Sequence, residues 1–159
     1  MALTHVDTAR QVDAGAAGVQ GMLAGTQVLT LDGALPVEYL GPGDRVLTRD
    51  GARRISRVEV TVIAHARVVT ICPDSLGIGK PADLVTVSAA MGILLRDWRA
   101  KAMYGAAQVV VPASRLADGE YIKAETLAEA RLYTLVFDAP AVIYAGGLEM
   151  ACEGVAVRA

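Results

Sequence analysis

Three chain reversals are written into twenty residues of this sequence, and only short extended segments fit between them. Asp32-Gly33 is a hairpin signal, because both residue types tolerate positive φ. Gly41-Pro42-Gly43-Asp44 is a second turn and Arg49-Asp50-Gly51 a third. The segments they delimit, Val28 to Leu31 and Arg45 to Thr48, are rich in Val, Leu and Thr, as strands are. Leu35, Val37 and Tyr39 alternate with other positions and predict one more strand.

The β signal then continues over Ala52 to Ile71, but its phase does not hold. Ile55 falls on one face by parity, whereas Val58, Val60 and Val62 share the other. A period-2 strand changes phase only through an extra residue or a bend, which is expected near Ser56-Arg57. Cys72-Pro73-Asp74-Ser75 and Gly77-Ile78-Gly79-Lys80-Pro81 predict an irregular connection. Further strands are expected at Leu84–Val87, Val109–Val111, Leu132–Phe137 and Val142–Ala145. Helices are expected at Trp98–Tyr104 and Ala124–Ala130, the second from Ala, Glu and Leu without Gly or Pro. Residues 1–20 read as an N-terminal leader: Thr4 can cap a turn, but Gly15 and Gly18 make a helix marginal. No internal repeat and no linker is read. The expectation is one all-β domain over residues 21–159, with small helical insertions.

Composition narrows the function classes. Hydrophobic residues make up 53% of 159, so the chain is not a disordered one. Lys and Arg number 15 against 17 Asp and Glu. That balance lacks the concentrated basic charge that nucleic acid or an anionic membrane requires. The longest mostly apolar stretch, Leu84 to Leu95, stops at Arg96, short of the roughly 20 residues needed to span a bilayer. The N-terminal window carries Asp7, Arg10 and Asp13, unlike a signal peptide. Cys72 and Cys152 are too few for a disulfide framework, and with His5 and His65 they show no CxxC or HxxxH spacing. These points predict a soluble, cytoplasmic protein with reduced thiols, no metal and no cofactor.

Local motifs add no chemistry. Gly77-Ile78-Gly79-Lys80 is half a phosphate loop, but Asp74 stands where the first Gly belongs and Pro81 follows the Lys. No Ser sits in a GxSxG elbow. Asp44, Asp50, Asp83, Asp97 and Asp138 adjoin turns or element ends and read as turn formers. His65 reads as an ordinary hydrogen-bonded residue. Cys72 has no His or Lys near it in sequence to lower its pKa. Arg53, Arg54, Arg57 and Arg67 form a loose basic strip diluted by Asp50 and Glu59, which reads as a solvated strand face.

An ordered set of segments goes further. Gly25-Thr26, Val28-Leu29-Thr30, Pro36-Val37-Glu38, Pro42-Gly43-Asp44 and Val46-Leu47-Thr48-Arg49-Asp50-Gly51 come first. Asp83-Leu84-Val85, Leu94 through Ala100, Val109 through Ala113, Tyr133 through Asp138 and Ala145 through Leu148 follow. Together they resemble a Hedgehog/Intein (Hint) domain of a bacterial subfamily, over about residues 19–154. The resemblance implies a Hint-like β fold and self-processing chemistry. In that chemistry a Cys or Ser attacks the preceding carbonyl, a His in a Thr/Ser-x-x-His motif assists, and inteins finish with a terminal His-Asn.

Each of those positions departs from the pattern. Gly21 stands where the Cys belongs, with Met22 for the following Phe. Ser88-Ala89-Ala90-Met91 matches Ser-Pro-x-His, with Met91 for the His. Asp138-Ala139-Pro140 replaces an Asp-Arg-His run, and Ala151-Cys152-Glu153 lies where the His-Asn is expected. No Cys or Ser precedes Ser56, and no His follows His65. The expectation is a non-catalytic Hint-like module, not an enzyme, with no catalytic, cofactor-binding or metal residues and a protein partner of unspecified identity. The alternatives are a small enzyme using Cys72 or Cys152, or residual autoprocessing.

Overall fold

The computed structural model describes residues 9–12 and 19–154. The reading of Thr4 as a cap, and of Gly15 and Gly18 as helix breakers, falls outside them. Among the described residues twelve strands form: β1 Ala9–Val12, β2 Gln27–Thr30, β3 Gly33–Pro36, β4 Arg45–Thr48, β5 Gly51–Arg54, β6 Arg57–Ile71, β7 Val85–Ser88, β8 Gly92–Leu95, β9 Val109–Pro112, β10 Ile122–Val136, β11 Ala141–Ala145 and β12 Leu148–Cys152. One α-helix, α1 Trp98–Tyr104, coincides with the expected one. Asp97 caps it through Arg99 N–H, and Gly105 ends it in the left-handed region.

Two sheets result. The larger runs β3-β2-β4-β11-β12-β8-β9, with β5 on β4; the smaller joins β10 and β1 to β6, with β7 also on β6. The expected reversals close the first hairpins, and their chemistry repeats. Val28-Leu29-Thr30-Leu31-Asp32-Gly33-Ala34 returns eighteen residues later as Val46-Leu47-Thr48-Arg49-Asp50-Gly51-Ala52. Thr30 and Thr48 donate to the carbonyls of Gly33 and Gly51 at 2.7 and 2.6 Å. The same hydroxyls each accept an N–H, from Asp32 and from Asp50, at 3.0 Å. Gly33 and Gly51 sit at φ 99° and 93°. The absence of an internal repeat is therefore corrected: one turn is used twice.

The expected phase change near Ser56 is a change of sheet. Ile55 donates its N–H to Asp44 on the β4 side, while Ser56 donates to Val136 of β10. β5 thus belongs to the larger sheet and β6 to the smaller. The alternation Leu35-Val37-Tyr39 is interrupted, because Pro36 ends β3 and Val37–Tyr39 form a 3-10 turn. Strands β1, β8 and β12 are not read from sequence; β1 falls within the expected leader and pairs parallel with β6. Gly92–Leu95 lies in an apolar run without alternation, and β12 carries Leu, Glu, Met and Ala, all good helix formers.

The helix expected at Ala124–Ala130 is overturned. These residues are the first half of β10 and pair antiparallel with Ile63 to Val69 across the β6 ladder. Helix propensity is a weak preference, and a complete partner strand overrides it.

Between them β6 and β10 serve two cores. Val58, Val60, Val69, Ile71, Ile122 and Leu135 face the main core; Ile63, Ala66, Val68, Ala130 and Leu132 form a second cluster on the other side. Plain alternation cannot put Val60 and Val69 on one side and Ile63 and Val68 on the other. The phase slips at His65, which is exposed and holds φ 52°, opposite Ala128, where the register skips a pair. Among the described residues no helix is long and apolar enough to cross a membrane.

This slip inverts the usual strand preference. His65→Val, the better strand former, should destabilise by about 1–2 kcal/mol because a β-branched residue resists positive φ. His65→Gly should be tolerated better, as read by urea denaturation of the two variants. Equal stability, or the reverse order, would remove His65 as the point where the ribbon turns over.

Candidate functional site

Residues 19–22 cross the smaller sheet as a strap. Met22 is fully buried and bridges Val87 of β7 on one side and Tyr133 of β10 on the other. It donates to Tyr133 O at 2.9 Å and accepts from Tyr133 N–H at 2.8 Å. Because β7 and β10 both adjoin β6, this crossing closes the three strands into a ring.

Every carbonyl of the strap is held. Ser88 Oγ donates to Val19 O at 2.5 Å, and Ser88 N–H donates to Gly21 O at 3.0 Å. Thr134 Oγ1 donates to Gln20 O at 2.6 Å. The last residue of β7 and a residue of β10 thereby grip consecutive peptide units. Ser88 Oγ also accepts from Ala90 N–H at 3.2 Å, which fixes the rotamer that reaches Val19.

The structure brings Gly21 and Ser88 together, as the family pattern requires. Met91, in the His position, is buried in the main core, and its N–H donates to Ser88 O. The later positions meet elsewhere along β10: Phe137 N–H donates to Glu153 O just past the strand's end, and Asp138 is exposed beside Arg53 at 3.6 Å. Thr134 is the residue sequence reasoning missed. Its signal was parity, since Leu132 and Thr134 share one face of β10 and both reach Gly21. The chain also contains no asparagine.

Gly21 has no space for a side chain. A Cβ built there would lie 2.7 Å from Leu132 Cβ, 3.2 Å from Thr134 Oγ1 and 3.3 Å from Tyr133 O. The first distance is shorter than real Cβ contacts, and its partner is pinned to the strand backbone. Chemically, the Gln20 carbonyl is polarised by one hydroxyl donor. That hydroxyl lies against the oxygen and points its proton there, so it is placed to stabilise charge and not to attack the carbon. A cleft of about 730 Å³ opens beside the strap, lined among others by Val19, Gln20, Arg67, Ser88, Ser114 and Leu132.

The cysteines lie apart from this site. Cys152 is buried on β12, and burial pushes its thiol up to about 12, with Glu153 adding to the shift. Such a thiol stays protonated at neutral pH and is no nucleophile. Cys72 is half-buried, with its N–H donating to Tyr121 O. Among the described residues no three His, Cys, Asp or Glu side chains gather to hold a metal.

The profile of the Hint domain family matches residues 21–155. The structure resembles a bacterial intein-like domain from Clostridium thermocellum at 15% identity and a TM-score of 0.60, covering 85% of this chain and 99% of that one. It resembles the gp41-1 intein at 17% identity and a TM-score of 0.58, over 83% of this chain and 98% of that one. For the MchDnaB-1 intein the values are 16% and 0.54, over 83% and 98%. No curated protein matches the sequence. At these identities the structural likeness is one of fold.

The buried thiol sets a pH window. In the folded chain Cys152 holds its proton to about 12, whereas an unfolded thiol loses it near 8.5–9. Its contribution to stability is therefore complete below about pH 8.5 and falls as pH rises toward 12. Cys152→Ala should flatten the decline of stability between pH 9 and pH 11, followed by urea denaturation. At neutral pH iodoacetamide should leave Cys152 unmodified until denaturant is added; modification of the native chain there would contradict the burial.

Proposed function

The chain belongs to the Hint domain family, and we propose that it is a member in which self-processing is lost, leaving a non-catalytic module for protein interaction or structure. The observation that carries this reading is Gly21, at the nucleophile position, packed against Leu132 with no room for a Cβ. Amide cleavage of the family kind needs a nucleophile at that residue and a proton donor beside it. Gly21 supplies neither atom nor space, and Met91 has no proton to transfer at neutral pH.

The remaining architecture supports a structural use of the same peptide units. The hydrogen bonds that would present a scissile bond instead anchor the strap, and Met22 fills the core beneath it. The Gln20–Gly21 bond is then a permanent part of the fold.

Intact mass spectrometry of the purified chain, with and without dithiothreitol, should show one uncleaved species. A thiol-dependent break at Gln20–Gly21 would overturn the reading. Packing supplies a second check. Gly21→Ala should destabilise by about 1–3 kcal/mol, as overpacked sites do. Adding Leu132→Ala should not relieve it, because the contact is with Cβ, whereas Leu132→Gly should relieve part of it. Gly21→Cys should lower the melting temperature without producing cleavage. If Gly21→Ala is neutral, the packing argument falls.

A further inference from the structure

A second concavity, of about 820 Å³, is lined by residues of both sheets. That volume is within the roughly 300–1,000 Å³ typical of ligand sites. Two continuous stretches, 23–27 and 82–86, contribute to its walls, so a linear occupant can lie along them. Much of its lining is apolar. Leu84 is 59% exposed and Leu29 38%, leaving apolar surface that an occupant would cover.

The charged groups in this groove are of one sign, and one of them is held in place. Thr86 and Thr70 stand opposite one another on β7 and β6, with hydroxyl oxygens 3.1 Å apart. Thr70 Oγ1 donates to Glu125 Oε2 of β10 at 2.8 Å. Thr70 has one hydroxyl proton, so Thr86 must be the donor in the first contact, and the relay runs Thr86 to Thr70 to Glu125. It fixes the carboxylate while leaving Glu125 Oε1 without a partner among the described residues. Asp83 supplies a second carboxylate; among the described residues it has no ion pair, and no Lys, Arg or His lines the groove.

We propose that this groove binds an extended peptide segment presenting a lysine or arginine between apolar residues. The cationic head meets Glu125, pre-oriented by the threonine relay, with Asp83 as the second carboxylate. The flanking apolar side chains cover Leu29, Leu84 and Leu127. A charged donor on a fixed carboxylate forms the stronger class of hydrogen bond, and the long stem of Lys or Arg suits an apolar wall. The proposal rests on the interaction-module reading and gives that partner its chemistry.

The test uses the 159-residue chain and an array of pentapeptides carrying Arg or Lys between Leu or Val residues, with matched sets carrying Gln or Glu at the centre. The cationic sets should be retained, more weakly as salt rises. With the best cationic peptide, ¹⁵N-labelled protein should shift at Leu23–Gln27, Thr70, Asp83–Thr86, Glu125 and Leu127. The exposed pair of substitutions Glu125→Gln and Asp83→Asn should weaken binding roughly tenfold while the amide spectrum stays folded. Retention of no peptide, equal retention of the acidic sets, shifts elsewhere, or unchanged affinity in the double variant overturns the proposal. So does peptide-free dimerisation through the same residues, which would make a second copy the occupant. An uncleaved chain that retains no cationic peptide defeats this proposal alone. A chain that cleaves itself yet binds them defeats the earlier reading alone.

Discussion

The antiparallel pairing of β6 with β10 is the contact on which the rest of the molecule depends. Its register runs from Arg57↔Val136 to Ile71↔Ile122, fifteen residues on each strand. A ribbon of that length, roughly 50 Å at 3.3–3.4 Å per residue, outlasts any single core. It must therefore change the face it presents, and it does so at His65 and Ala128. β1 and β7 use the other edge of β6 at successive positions, and the strap leans on β10. One ladder thus positions Ser88, Thr134 and Glu125.

The strap shows how a site for peptide chemistry and a structural brace can share one geometry. Holding a peptide unit by its carbonyls is what a processing site needs in order to polarise an amide, and it is also what anchors a crossing strand. The two uses differ in the side chains set around the carbonyl, first of all at residue 21. With a thiol or hydroxyl at residue 21 the polarised carbonyl has an attacker; with Gly21 against Leu132 it has only anchors. Close packing makes the difference self-reinforcing, since a Cβ at residue 21 would now need β10 to move.

Much of the fold was legible because the turns were chemically explicit. The reversals, the β4 bounds, helix α1 and the break before β6 all follow from Gly, Pro, Asp and the parity of apolar residues. What failed were segments whose local preference pointed elsewhere. Ala124–Ala130 has helical composition, and Leu148–Cys152 is little better as a strand, yet each finds a partner strand that pairs its backbone groups. At the site, Gly21, Ser88 and Met91 were found from the family pattern. Thr134 was not, because its role depends on lying across from a strap that joins the sheet from far away in sequence.

The sequence by itself determined the class of fold, the places where the chain reverses and the residue types at the family's reactive positions, because these follow from local backbone preferences and side-chain chemistry. Only the tertiary structure decided that Gly21 is sealed against Leu132, that the two threonines orient Glu125, and that Cys152 is locked in its neutral form. Those facts depend on which strands become neighbours, and neighbours are chosen by register and packing over separations of up to 114 residues.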